Sequence, residues 1–297
     1  MKSEGSKRYP RGADIVAEIA SQPACWRQAA GVAGRCAGSL PRPGERVAVT
    51  GCGTSYFVAL AYAALREGAG LGITDAYPAS EFPLGRTYDR VVAITRSGTT
   101  TEVLDLLGSL YAPTVAVTAS DATIADATIR LGFADERSVV QTRFATTVLA
   151  FLRAAIGHDV ERVAADGERA LGMPLGDLPE QVTFLGRAWT VGLAHEAALK
   201  LREAAGAWTE AYPAMEYRHG PIAVAQPGRA VWMFGEPPAG LAEDVARTGA
   251  AFVDGDGLDP LAQLVLAQRL AVAMAERRGL DPDRPRHLAS SVIIDPA

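Results

Sequence analysis

The sequence predicts an α/β protein with parallel sheets, arranged as two tandem units. Three observations carry this. Short apolar runs alternate with longer helical stretches, the pattern of βαβ units with right-handed crossovers. The runs are continuously apolar, which suits strands buried on both faces, as in parallel sheets. A stretch interrupted by Gly and Pro, "ALGMPLGDLPEQ" (170–181), divides the chain near its middle. At 297 residues the chain also exceeds a typical single domain.

Taken in order, the stretch "ADIVAEIASQPACWRQAA" reads as a helix interrupted at Pro23 that packs outside the first unit or on a partner. The boundaries expected are 1–34 for this helical segment, 35–171 for the first unit, and 172–297 for the second unit and C-terminal tail. The strand "RVAVT" (46–50) precedes the helix "SYFVALAYAALREG" (55–68), and "VVAIT" (91–95) precedes "EVLDLLGSLYA" (102–112). "TVAVT" (114–118) precedes "ATIADATIRLG" (122–132), read as helical. "VTFLG" (182–186) precedes "TVGLAHEAALKLREAAG" (190–206), and "AVWMFG" (230–235) and "AAFVDG" (250–255) supply later strands. "AVTGCGTSYFVALAYAAL" and "TFLGRAWTVGLAHEAALKL" share a strand, a glycine-containing loop and an Ala-rich helix, which suggests duplication of one α/β unit.

Composition narrows the function. Hydrophobic residues make up 48%, enough for large cores. With 29 basic and 34 acidic side chains the net charge is −5, a poor footprint for nucleic acid. Phosphate-bearing small molecules remain allowed, because backbone N–H groups and hydroxyls can hold them. Cys25, Cys36 and Cys52 form no metal-binding spacing and fit a reduced setting. The N-terminal "MKSEGSKRYPRG" has no apolar core of a signal peptide, and no apolar run approaches the ~20 residues that span a bilayer. A soluble, cytoplasmic protein that neither binds membrane nor needs a metal or cofactor is the expectation.

Two loops carry hydroxyls at strand ends, where open parallel sheets bind ligands. They are "GCGTS" (51–55) and "TRSGTTT" (95–101), each opening a helix. A helix N-terminus offers free N–H groups and a partial positive charge. Gly51, Gly53 and Gly98 let the backbone approach a ligand. Capping alone needs one hydroxyl, so the cluster favours a phosphate guest. Neither loop is a P-loop or a dinucleotide fingerprint.

Glu196, Lys200 and Glu203 lie on one stripe of a helix. An exposed stripe of this kind is worth only ~0.2–0.5 kcal/mol per pair. If it faces the cleft, a carboxylate beside a lysine can serve as a general base. The segment "EAYPAMEYRHGP" (210–221) reads as irregular, and its His219 can titrate near neutral pH.

"EIASQP" (18–23), "GCGTSY" (51–56), "TRSGTTTE" (95–102), "EAALKLREAA" (196–205), "EAYPAMEYRHGP" (210–221) and "DPDRPRHLASSV" (281–292) together resemble the SIS (sugar isomerase) domain family. The chain is most similar to the isomerase half of glucosamine-6-phosphate synthase. The resemblance implies two flavodoxin-like three-layer α/β/α subdomains and a phosphosugar site shared across a homodimer. It implies that Ser55, Thr95, Ser97 and Thr100, with the backbone from Arg96 to Thr99 and the Gly53–Thr54 turn, hold the sugar phosphate. It implies that Glu203 moves a proton between C1 and C2, that His219 from the partner helps open the ring, and that Glu196 and Lys200 line the site.

Departures from the family matter equally. The chain starts at the linker helix, so no glutamine-hydrolysing domain is expected. Where the family's synthases read Asn-Leu-Ala-Lys-Ser-Val, this chain reads "HLASSV" (287–292), and Ser290 takes the place of the imine-forming lysine. Arg96 replaces a Gln in the phosphate loop, where it binds phosphate or turns outward. Gln141 and Arg143 replace a Ser and a Lys near the substrate. Proton abstraction at C2 of an amino-sugar 6-phosphate, ending in isomerisation or deamination, is the favoured expectation. Dehydration of N-acetylglucosamine 6-phosphate is the alternative, and a non-catalytic phosphosugar sensor the alternative from another class.

Overall fold

The computed structural model describes residues 11–294. The polar N-terminal stretch read above therefore lies almost entirely outside the described residues. Two parallel sheets form the frame. The first contains β1 (Val47–Gly51), β2 (Thr74–Pro78), β3 (Arg90–Ile94), β4 (Thr114–Thr118) and β5 (Ala127–Arg130), in the order β2-β1-β3-β4-β5. The second contains β6 (Gln181–Gly186), β7 (Thr209–Pro213), β8 (Arg229–Met233) and β9 (Ala251–Val253), in the order β7-β6-β8-β9. β1, β4 and β6 are buried throughout, their threonines and Gln181 included, as strands covered on both faces require.

The helices are α1 (Ala13–Ala33), α2 (Thr54–Gly68), α3 (Thr101–Ser109), α4 (Arg143–Ala155), α5 (Val160–Gly172), α6 (Thr190–Ala205), α7 (Leu241–Ala246) and α8 (Pro260–Arg277). They flank the sheets in the expected three-layer α/β/α arrangement. One contiguous core runs through both units, joining Val47, Val92 and Val117 of the first sheet to Val182, Phe184 and Trp232 of the second. None of the described helices is long and apolar enough to cross a membrane.

The strand order is the same in both units, and the duplication runs deeper than the stretches that suggested it. Gly51 at the end of β1 pairs with Pro78, and Gly186 at the end of β6 pairs with Pro213. "TDAYPASEF" (74–82) and "TEAYPAMEY" (209–217) occupy matching places. A Cβ on Gly51 would stand 2.6 Å from Ser55 Cβ, and one on Gly186 would stand 2.3 Å from the Thr190 carbonyl oxygen. Each first strand therefore hands over to its helix through a turn too tight for any side chain.

Four expectations are corrected. α1 is not interrupted at Pro23. Proline removes the N–H that would bond Ile19, but the Gln22 side-chain amide donates to the Ile19 carbonyl at 3.2 Å instead. α1 is also not an outer attachment. Trp26 is fully buried and donates its indole N–H to Thr146 Oγ1 at 3.0 Å, while Gly167 of α5 leaves room for Pro23 and Trp26. Residues 122–132 are not helical. Asp126 accepts from the Thr114 N–H and hydroxyl, both at 2.8 Å, which ties the segment beside β4 and sets β5 on it. Finally, the segment from Glu210 begins as strand β7 and turns irregular only beyond Pro213.

Candidate active site

The first hydroxyl loop joins β1 to α2. Gly53 precedes the helix at φ 53°, a left-handed conformation that glycine adopts freely. Thr54 and Ser55 follow, both buried. The second loop joins β3 to α3. Gly98 sits at φ 69°, and a Cβ there would lie 1.6 Å from the Ala122 carbonyl oxygen. Part of the hydroxyl cluster shapes this turn. Thr95 Oγ1 accepts the Gly98 N–H at 3.3 Å, and Ser97 Oγ accepts the Thr99 N–H at 3.2 Å. Thr100 stands at the N-cap of α3, yet its side chain makes no capping bond.

The C-terminal tail crosses this loop. Ser291 Oγ lies 3.4 Å from Ser97 Oγ and 3.2 Å from Thr99 Oγ1. The Thr101 N–H donates to the Val292 carbonyl at 3.2 Å. Arg96 neither presents itself to the loop opening nor turns outward. It is buried and donates to the carbonyls of Glu136, at 2.7 Å, and Ser290, at 3.1 Å. Arg96 therefore staples the tail to the turn before α4. Ser290 itself is exposed. Gln141 sits in the same turn, and its Oε1 is buried without a partner among the described residues. Arg143 lies beyond it, donating to Ser21 Oγ at 3.0 Å and to the Asp135 carbonyl.

The stripe on α6 faces the cradle and not solvent. Lys200 and Glu196 are 1% and 2% exposed at their side chains, and Glu203 is 19% exposed. Lys200 Nζ lies 2.6 Å from Glu203 Oε2, 2.9 Å from Thr54 Oγ1 and 3.5 Å from Glu196 Oε1. Glu196 Oε1 also accepts from Thr54 Oγ1 at 3.3 Å. Thr54 thus joins the first loop to the stripe. Burial pushes the Glu196 carboxyl up to about 7, against the pull of the Lys200 ammonium. Burial alone would lower Lys200, but the Glu196 and Glu203 carboxylates outweigh it and hold the ammonium above its ordinary range. A buried pair of this kind is costly to dehydrate and costlier to break. A cavity of about 480 Å³ opens beside Glu203, between Arg202, Arg284, Arg286 and His287.

His219 is not part of this cluster within one chain. It is exposed at the end of a helical turn, Glu216–His219, that buried Tyr217 anchors. The start of that segment is tied to the end of β6, where the Ala214 N–H donates to the Gly186 carbonyl at 2.8 Å. Glu203 lies at the far end of α6, about 20 Å along the axis at ~1.5 Å per residue.

The sequence reading passed over Glu136 and Ser291. Glu136 caps α4 from six residues upstream, accepting from the Thr142 and Arg143 N–H groups at 2.6 Å each and from Phe144 at 3.0 Å. No short capping motif signals that arrangement.

No protein-family model matches the chain. The chain is 32% identical over 310 residues to a glutamine–fructose-6-phosphate aminotransferase (isomerizing) of Methanothermobacter thermautotrophicus, covering 84% of this chain and 52% of that protein. The chain spans about half the length of the curated relatives it matches. Among solved structures, a glucosamine-6-phosphate deaminase from Thermotoga maritima superposes with TM-score 0.77 at 24% identity, covering 95% of this chain and 100% of that one. A tagatose-6-phosphate ketose/aldose isomerase from Escherichia coli superposes with TM-score 0.79 at 18% identity, covering 97% and 100%. The comparisons bear out the resemblance to the SIS family and its similarity to the isomerase half of the synthase. The fold is that of two such α/β subdomains.

Proposed function

We propose that this chain is a phosphosugar enzyme that abstracts the C2 proton of an amino-sugar 6-phosphate, with aldose–ketose isomerisation or deamination as the outcome. One observation carries the reading. Glu203 lines a cavity while its Oε2 is held 2.6 Å from a fully buried Lys200, which itself reaches Thr54 of the first hydroxyl loop at 2.9 Å.

Each residue then has a task. Ser55, Thr95, Ser97 and Thr100, with the N–H groups of the turn, take the phosphate as charge-assisted hydrogen bonds form. Glu203 accepts the C2 proton beside the opened C1 carbonyl and returns it to C1, giving the ketose, or the C2 imine that takes up water and releases ammonia. Lys200 stays charged between its two carboxylates, fixes the Glu203 rotamer and stabilises the enediol oxygen electrostatically. Thr54 couples this pair to the cradle, so phosphate position and base position are set together. Ser290 forms no imine, which removes nucleophilic catalysis at that place. Ring opening falls to His219 of a second copy of this chain, since its own is exposed on the Glu216–His219 turn and bonds to none of the α6 stripe. Dehydration of an N-acetylated substrate is the second reading. The exposed Ser290 side chain and the unpartnered Gln141 Oε1 leave room and an acceptor for a bulkier amide at C2.

Glu203→Gln tests the reading directly. The variant keeps size and helix propensity but accepts no proton. Turnover of glucosamine 6-phosphate should fall by about 10²–10⁴ with binding almost unchanged. Native turnover in this variant would remove the proposed base, and product analysis of the native protein separates isomer, ammonia and water loss. Mixing Glu203→Gln with His219→Ala subunits should restore part of the activity if sites are shared between copies. Additive inactivity in the mixture would place ring opening elsewhere.

A further inference from the structure

The second sheet has its own cavity at the equivalent of the cradle. In the order β7-β6-β8-β9 the connections diverge between β6 and β8, the point at which open α/β sheets bind ligands. A cavity of about 1010 Å³ lies there, lined by the loops after β6, β8 and β9 and by the start of α8. The loop after β6 shares one backbone feature with the first. Ala188 adopts φ 46° where the first unit has Gly53 at φ 53°.

The chemistry of the lining selects among guests. Arg153 is bound bidentately to Asp259, both contacts at 2.7 Å, and is spent. Asp166 is engaged by Arg169 and by the Asp259 N–H, and Asp159 caps α5. Arg162 and Arg187 have no carboxylate partner among the described residues and are exposed on the rim. Gln263 is 2% exposed, donates its amide to the Leu258 carbonyl, and leaves Oε1 unpartnered in the lining. Glu236 and Asp254 add further acceptors. Two free guanidinium groups call for an anion, and the acceptors call for hydroxyls on the same ligand.

We propose that this cavity is a second site that binds a phosphorylated sugar, with Arg162 and Arg187 on the phosphate and Gln263 Oε1 accepting from a sugar hydroxyl. It binds without catalysis. At the constant spacing that relates the two units, Glu196, Lys200 and Glu203 correspond to Ala61, Leu65 and Gly68. The duplication therefore carries no second carboxylate–lysine stripe.

Calorimetric titration of the full chain with glucosamine 6-phosphate tests this independently of the catalytic reading. The native protein should show two saturable events per chain. Ser97→Ala/Thr100→Ala should weaken one and leave the other. Arg162→Ala/Arg187→Ala, on exposed positions that leave the fold intact, should weaken that remaining event at least tenfold and leave turnover unchanged. Unphosphorylated glucosamine should fail to reach it. One event per chain, lost with the cradle variant, overturns the second site and leaves the first standing. Residual binding indifferent to the two arginines overturns it as well. A single event that survives the cradle variant and falls with the arginines supports the second site and removes the cradle.

Discussion

At the C-terminal edge of the first sheet the loop after β3 holds Thr95, Ser97, Thr99 and Thr100. At the matching place in the second sheet the loop after β8 reads Phe-Gly-Glu-Pro-Pro-Ala-Gly (234–240). The order of the four shared strands agrees, the glycines that end β1 and β6 agree, and each loop that follows holds a positive-φ residue, Gly53 and Ala188. The groups offered to a ligand do not. Pro237 and Pro238 bring no N–H, and Glu236 offers a carboxylate where the first loop offers hydroxyls, so an anion at the second sheet falls to Arg162 and Arg187 and not to this loop. Duplication has preserved the part of the fold that packs and changed the part that faces solvent. The helices between the sheets depart from that rule: α6 carries buried Glu196 and Lys200 where α2 carries buried Ala61 and Leu65.

The largest way to break this contrast is Lys200→Met, which makes α6 resemble α2. It leaves Glu196 buried without its counter-charge, and stability should fall by about 3–5 kcal/mol at pH 8. The loss should shrink at pH 6, where Glu196 takes up a proton. Chemical denaturation at both pH values checks this, and a pH-independent loss would show that packing, not charge, is at stake. Smaller is the effect of Ser97→Ala, which should weaken phosphosugar binding by ~1.5–3 kcal/mol. Equal affinity with an intact fold would mean the loop after β3 differs from the loop after β8 in sequence but not in use.

The smallest expected effect lies in the helix that leans on both units. Burial raises the Glu18 carboxyl to about 7, with the Arg137 and Ser138 N–H groups opposing. A carboxyl raised on folding binds more protons in the native state, so its penalty grows from about pH 4.5 to about pH 7. Glu18→Gln should flatten the fall in stability over that window and raise the melting temperature at pH 8 by a few degrees. An unchanged slope would assign the pH dependence to Glu196 alone.

β2, β5 and β7 went unread, but the sequence by itself determined β1, β3, β4, β6, β8 and β9, the two hydroxyl loops and the stripe on α6. These are written in runs of a dozen residues or fewer, as apolar continuity, turn glycines and helical spacing. Even the second copy of the unit was readable there, in "TDAYPASEF" and "TEAYPAMEY". Tertiary structure decided what those features face. The stripe Glu196–Lys200–Glu203 looks the same on a surface as in a core. It is buried because α6 packs against α2, where a Cβ on Gly192 would meet the Phe57 carbonyl at 2.5 Å. That packing brings Lys200 to Thr54 across 146 positions of chain. The same holds for Gln22 rescuing the carbonyl that Pro23 leaves free, for Asp126 drawing a strand out of a helical pattern, and for Ser290 and Ser291 closing over a loop 194 positions away. A local pattern fixes which face of an element is apolar. Only the packed chain fixes which polar groups meet in the space the apolar faces leave, because burial depends on every element at once.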